Sequence, residues 1–214
     1  MDVYLERIIA KYESQWERND PAHRQSHFDE VYQHGLDLNI KLDLNYPVEW
    51  ILVAAYFHDL FTFDRETHHL QSREFVLTTS CEIITELLGD IHSEARVIVA
   101  NACAEHRASF KGGYTHPFSD FFASADRGIV KPITTHIPKT VKRAFDYAQA
   151  TNPWANITQL CQITLEHMHE KFGTKGYMRL PRTYVQAYGR ELEEVKTAFD
   201  ALALEDIILI TQKE

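Results

Sequence analysis

The stretch Trp50-Ile51-Leu52-Val53-Ala54-Ala55-Tyr56-Phe57-His58-Asp59 decides how the rest of the chain is read. Its unbroken apolar run, Ile51 to Phe57, is far shorter than the ~20 residues that cross a bilayer, so it reads as a helix buried inside a folded body. That helix ends on a histidine and an aspartate. A polar pair at the end of a buried helix costs free energy unless a partner or a cation satisfies it. A short carboxylate and a longer imidazole can converge on one ion near a helix end, and mixed nitrogen and oxygen donors suit a divalent Mn, Fe, Co, Ni or Zn. The dipeptide alone does not separate a ligand pair from a hydrogen-bonded one.

Working outward, the 7 prolines stand where helices would start or stop: Asp20-Pro21, Tyr46-Pro47 after Asn45, Asn152-Pro153, and Pro117, Pro132, Pro138 and Pro181 beside amphipathic stretches. Proline is pre-organised for a first helical turn, and Asp or Asn just before it caps free backbone N–H groups. Between these marks apolar residues recur at steps of three and four, as in Ile83, Ile84, Leu87 and Leu88, and two-residue alternation is too short to give strands more than a minor part. The expectation is an all-α fold with helices over 3–17, 21–40, 47–60, 67–88, 92–107, 117–130, 138–150, 155–172 and 182–202. Loops are expected at 111–114 and 171–176. The stripe Val185, Tyr188, Leu192, Val195, Phe199 and Leu202 reads as core packing, with a helical dimer seam as its rival. Ile207-Ile208-Leu209-Ile210 is too apolar to stand in water and should pack on the body or on another subunit.

Composition sets the outer limits. With 214 residues, 44% hydrophobic and 25% charged, the chain is long enough to bury a core of its own, so a metal would not be needed merely to hold it together. A net charge of -9 argues against a nucleic-acid polymer or an anionic membrane as the main partner, because such binding needs clustered Lys and Arg. A small phosphorylated molecule needs only a local basic pocket. Cys81, Cys103 and Cys161 are far apart and form no CxxC, which reads as buried thiols in a reducing compartment. The acidic start Met1-Asp2-Val3 does not read as a signal peptide, and a cytoplasmic location is expected.

Three segments together carry a family resemblance. They are His27-Phe28-Asp29-Glu30-Val31-Tyr32-Gln33-His34-Gly35, Ala54-Ala55-Tyr56-Phe57-His58-Asp59-Leu60 and Phe121-Phe122-Ala123-Ser124-Ala125-Asp126-Arg127, with 31 residues from His27 to His58 and 67 from Asp59 to Asp126. In order and spacing the chain resembles the HD-domain metal-dependent phosphohydrolase superfamily over roughly residues 20 to 130. The resemblance implies an HD-domain helical bundle, taken as a metal-binding helical domain over 1–150; residues 151–214 lie beyond the resemblance and are expected as additional C-terminal helices, an extension packed on the same domain. The resemblance also implies His27, His58, Asp59 and Asp126 as ligands of a divalent ion, Mn, Fe, Co, Ni, Zn or Mg. Leu60-Phe61-Thr62-Phe63-Asp64 departs from the small or glycine-containing run usual after the signature pair, which leaves the substrate open.

Other positions are weighed on the same footing. His106, at the end of a helix where many relatives carry a histidine, would bind substrate phosphate or a second metal; a solvated helix-end histidine is the plain alternative. His68 or His69 would join a second metal, but only one can face inward because helical neighbours diverge, and His69 with His106 is the pair carried forward. His34 lies on nearly the same face as His27 and is a rival first ligand. His167, His169, His23, His92, His116 and His136 read as structural or exposed.

The activity this implies is hydrolysis of a small phosphomonoester or a nucleotide by metal-activated water. Asp59 and His106 are the expected catalytic residues. Arg107, Lys111 and Lys131 are the candidate substrate-binding cations, each with a solvated surface role as its alternative, and Arg127 is expected in a local ion pair. Two other classes stand beside it: a two-iron HD-type oxygenase built on the additional histidines, and a non-enzymatic nucleotide- or protein-binding helical module, with a homodimer through the C-terminal stripe.

Overall fold

The computed structural model describes residues 2–212. The chain is all-helical: eleven α-helices run as α1 (Asp2–Trp16), α2 (Gln25–Lys41), α3 (Val48–Phe57), α4 (His68–Thr78), α5 (Glu82–Leu88), α6 (Glu94–Glu105), α7 (Pro117–Asp126), α8 (Ile133–Thr151), α9 (Ile157–Phe172), α10 (Arg182–Asp200) and α11 (Leu204–Gln212). No strand occurs among the described residues, and no helix there is long and apolar enough to cross a membrane.

The differences from the expected helices have local causes. The stretch expected as one helix over 67–88 breaks at Thr79, whose extended backbone (ψ 138°) ends α4 before α5 restarts at Glu82; adjacent Thr78, Thr79 and Ser80 resist helix continuation. The helix expected from 21 begins instead as a 3₁₀ turn, Pro21–His23, because the Asp20 carboxylate accepts the Ala22 N–H and Arg24 is extended. α8 starts at Ile133, ahead of Pro138, which sits inside it without the backbone donor that a helix interior uses.

The chain divides into two compact units, Met1–Gly128 with Leu180–Ala187, and Ile129–Arg179 with Tyr188–Glu214. The boundary expected at 150 falls inside α8, so the division lies about one helix earlier, just after Gly128, whose φ of 80° suits a residue without Cβ. In the first unit, α3 is the central element. Ile51 to Phe57 are all buried, and α2, α5, α6 and α7 pack around them. α2 can approach closely because a Cβ on Gly35 would meet Ile51 Cγ2 at 2.7 Å. The Tyr56 hydroxyl donates to Asp29 and so joins α3 to α2. Arg73 of α4 donates to Asn101 of α6 at 2.9 Å. Leu180–Ala187 returns to this unit through Asp120, whose carboxylate accepts the N–H groups of Arg182 (2.9 Å) and Thr183 (2.8 Å) and caps α10.

In the second unit α8, α9 and α11 pack on one another around Val141, Phe145, Cys161, Met168 and Ile207. Phe172 stacks on Phe199 with ring centres 4.9 Å apart. The α10 stripe is core: Tyr188, Leu192, Val195 and Phe199 are buried, whereas Val185 is exposed. Ile207 is buried and Leu209 is exposed, so only part of the apolar 207–210 run is covered. All three cysteines are free and buried.

Candidate metal centre

Five helix ends of the first unit converge on one spot. α3 ends at His58-Asp59, α6 at His106 and α7 at Asp126, while α2 brings His27 and α4 brings His68 from their first turns. Three helices direct their negative C-terminal ends at this place and two their positive N-terminal ends, so the dipoles largely offset one another and the side-chain donors decide what binds there.

Asp59 is the hub. Its Oδ2 lies 3.4 Å from His58 Nε2 and 4.0 Å from His27 Nε2, and Asp126 Oδ1 completes that group at 3.3 Å from His27 Nε2 and 3.6 Å from His58 Nε2. Its Oδ1 faces the other way, 3.4 Å from His68 Nε2 and 3.3 Å from His106 Nε2. Donors that share one cation at bonds of about 2.1 Å lie about 3.0–3.4 Å from one another at right or tetrahedral angles; four of the six separations fall at 3.3–3.4 Å, while His58–Asp126 at 3.6 Å and His27–Asp59 at 4.0 Å are wider. The set fits a cation in a second respect. His27 Nε2, His58 Nε2 and Asp59 Oδ1 are buried and make no hydrogen bond, a condition that costs free energy unless an ion answers it.

The imidazoles are set by their other nitrogens. Nδ1 of His58 lies 2.9 Å from the Ala55 carbonyl, Nδ1 of His68 3.0 Å from that of Arg65, and Nδ1 of His106 2.7 Å from that of Cys103. A carbonyl only accepts, so each Nδ1 carries the hydrogen and a neutral ring turns its Nε2 lone pair toward Asp59. This is the outer-shell arrangement that orients metal-bound histidines.

The electrostatics follow from burial and proximity. Burial opposes charge on His58, yet Asp59 and Asp126 outweigh it and hold the imidazole up to about 10. Burial would raise Asp59, but His58 and His106 keep it well below the usual carboxylate range; Asp126 is lowered in the same way by His27 and His58. Burial dominates at His27 and His68, which are pushed down to about 4. Without a cation, buried Asp59 and half-buried Asp126 thus draw a proton onto His58.

His27, His58, Asp59, Asp126 and His106 all meet in this cluster. His68 meets it too, in place of His69, whose Nδ1 is 3.4 Å from Arg107 Nη1. The rival ligand His34 does not face Asp59; its Nδ1 donates to the Ala125 carbonyl at 2.7 Å, one residue before Asp126. Arg107 is half-buried beside His69, and Lys111 is exposed with no contact to the cluster among the described residues. Lys131 belongs to the second unit, where its Nζ lies 3.0 Å from Glu191. Arg127 is structural: Nη1 donates to the carbonyls of His106 (2.6 Å) and Ala123 (2.9 Å) and lies 3.6 Å from Asp126.

Sequence reasoning missed His23. Its Nε2 is 3.7 Å from Asp59 Oδ2 and its Nδ1 is 2.7 Å from Asp20 Oδ1. The signal was Asp20-Pro21, which caps the turn and places residue 23 beside residue 20. The side chains of His23 (19% exposed) and Asp126 (18%) reach water, whereas that of His58 (0%) does not.

No family model, no curated protein and no solved structure matches this chain. The geometry itself supplies the finding: buried His and Asp groups that could hold a metal ion.

Proposed function

We propose that this protein is a metal-dependent phosphohydrolase of the HD-domain kind, acting on a small phosphomonoester or a nucleotide. The observation that carries the reading is Asp59, whose two carboxylate oxygens face two separate groups of imidazoles. His27, His58, Asp59 and Asp126 would hold one divalent ion; Asp59, His68 and His106 would hold a second. A divalent ion at such a site acidifies water and withdraws charge from phosphoryl oxygens.

The chain's own residues supply the remainder. Asp59 stands between the two groups and orients water on either side of it. Asp126 is the more exposed of the two carboxylates, with 18% of its side chain reaching solvent against 5% for Asp59. Arg107, beside His69, and Arg65, beside His23, are the cations placed to offset charge on non-reacting phosphate oxygens. His106, facing Asp59 Oδ1 with its other nitrogen fixed by a carbonyl, serves as a ligand ahead of any direct phosphate contact.

The test is turnover of a generic phosphomonoester and a nucleotide panel with Mn, Co, Ni or Mg. Hydrolysis abolished by Asp59→Ala with the fold retained supports the reading. Complete silence from a demonstrably metal-loaded protein overturns it. The second donor group also favours a two-iron oxygenase, which predicts iron near two per chain and a visible absorption change in air.

A further inference from the structure

We propose that His23 is a ligand of the same cation as His27 and His58, so that the first donor group contains three imidazoles. The inference rests on reading the cluster as a metal centre and extends it by a residue outside the four-residue pattern.

The first argument is position. His23 Nε2 lies 3.7 Å from Asp59 Oδ2, nearer than His27 Nε2 at 4.0 Å to the same oxygen. Its ring meets the His27 ring edge-on with centres 5.5 Å apart.

The second is orientation. His23 Nδ1 is 2.7 and 2.9 Å from the two oxygens of Asp20, so the carboxylate accepts the Nδ1 hydrogen and the Nε2 lone pair of a neutral ring faces the cluster. Carboxylate–histidine–metal arrangements have this form, and the carbonyls behind His58, His68 and His106 play the same part. Arg65 Nη1 does not occupy that lone pair. It is almost equidistant from Nε2 (3.2 Å) and Nδ1 (3.4 Å), which puts it over the ring; a donor in the ring plane at Nε2 would stand much farther from Nδ1.

The third is restraint. Asp20 is itself fixed by the Ala22 N–H at 3.0 Å. The buried Asn19 side chain donates to the carbonyls of His23 (2.9 Å) and Asp59 (3.0 Å), tying this turn to the end of α3. A histidine serving only solvent needs no such anchoring.

The experiment is titration of the metal-free full-length chain with Co(II), followed by visible absorption and equilibrium dialysis, in wild type, His23→Gln and Asp20→Asn. Asn keeps one acceptor oxygen for the Ala22 N–H and removes the charge and the second acceptor behind the imidazole, so Asp20→Asn serves where His23→Gln does not fold. The expected result is a changed Co(II) spectrum and at least tenfold weaker binding in His23→Gln, with 10–100-fold weaker binding in Asp20→Asn. Spectrum and affinity unchanged in both variants overturn the assignment, as does unchanged binding with a fall in phosphoester turnover alone, which would move His23 to the substrate side. A folded wild type that takes up no Co(II) overturns the metal-centre reading itself, a failure distinct from the other two.

Discussion

His34 shows how one buried side chain couples the site to acidity. Burial pushes its imidazole down to about 4, against about 6.5 in an unfolded chain. Above pH 6.5 both states are neutral there and its contribution to stability is complete. As pH falls from 6.5 toward 4 the unfolded chain takes up a proton that the folded protein refuses, and stability is lost. The loss attributable to His34 is about 3 kcal/mol across that window. Urea unfolding of the metal-free protein at pH 7.5 and pH 4.5 measures it: His34→Gln is expected to show a smaller difference between the two values than wild type, and an equal difference refutes the assignment.

His58 is the opposite case. Asp59 and Asp126 overcome burial and hold it near 10, so it is protonated at neutral pH in the metal-free protein. A metal ligand must be neutral, hence metal binding at pH 7.5 is expected to release about one proton from this residue. Calorimetry of Mn(II) binding in buffers of different ionisation enthalpy reads the proton count, and a heat independent of buffer counts against the assignment.

At the scale of elements, the position of the centre depends on how α2 sits against α3. The nearest atom to a Cβ on Gly35 is Ile51 Cγ2 at 2.7 Å, inside a fully buried helix with little room to move. Gly35→Ala is therefore expected to destabilise by about 1–3 kcal/mol through overpacking, despite alanine's better helix propensity. Thermal unfolding checks this, and an unchanged or raised Tm shows that the two helices separate at no cost. The helices were legible because α3 is apolar on every side and prolines and capping residues mark the ends of several others. The α4–α5 break was not, since Phe75 to Leu88 keeps its three- and four-residue recurrence across Thr79.

The candidate site was partly legible for the same kind of reason. His27, His58, Asp59 and Asp126 stand in recognisable segments. His68 and His69 could not be separated by identity, since both precede the same helix; the deciding fact is that His68 shares its face with buried Ser72 and Val76. For His23 the only signal was Asp20-Pro21, which marks the 3₁₀ turn; that Asn19 ties this turn to Asp59 leaves no period along the chain.

On the scale of the whole molecule, the candidate donors come from five helices, so a cation bound there would be coupled to folding. A cation that binds only the folded chain adds about 2.7 kcal/mol at a concentration one hundred times its Kd. Saturating Mn(II) is expected to raise the Tm by several degrees, and EDTA to reverse the rise. A Tm indifferent to both would mean that no cation joins these helix ends. The division at 128/129 was not legible, since Lys131-Pro132 and Pro138 marked a break without saying which side of it belonged together.

The cap that Asp120 places on Arg182 and Thr183 has a practical meaning for anyone dissecting this protein. A gene cut after codon 128 does not encode the whole of the unit that carries the candidate centre. It omits eight residues, Leu180–Ala187, that the same unit recovers from much later in translation, and it strands a carboxylate on the helix that ends in Asp126. A fragment that holds the whole first unit therefore joins two discontinuous pieces, 1–128 and 180–187.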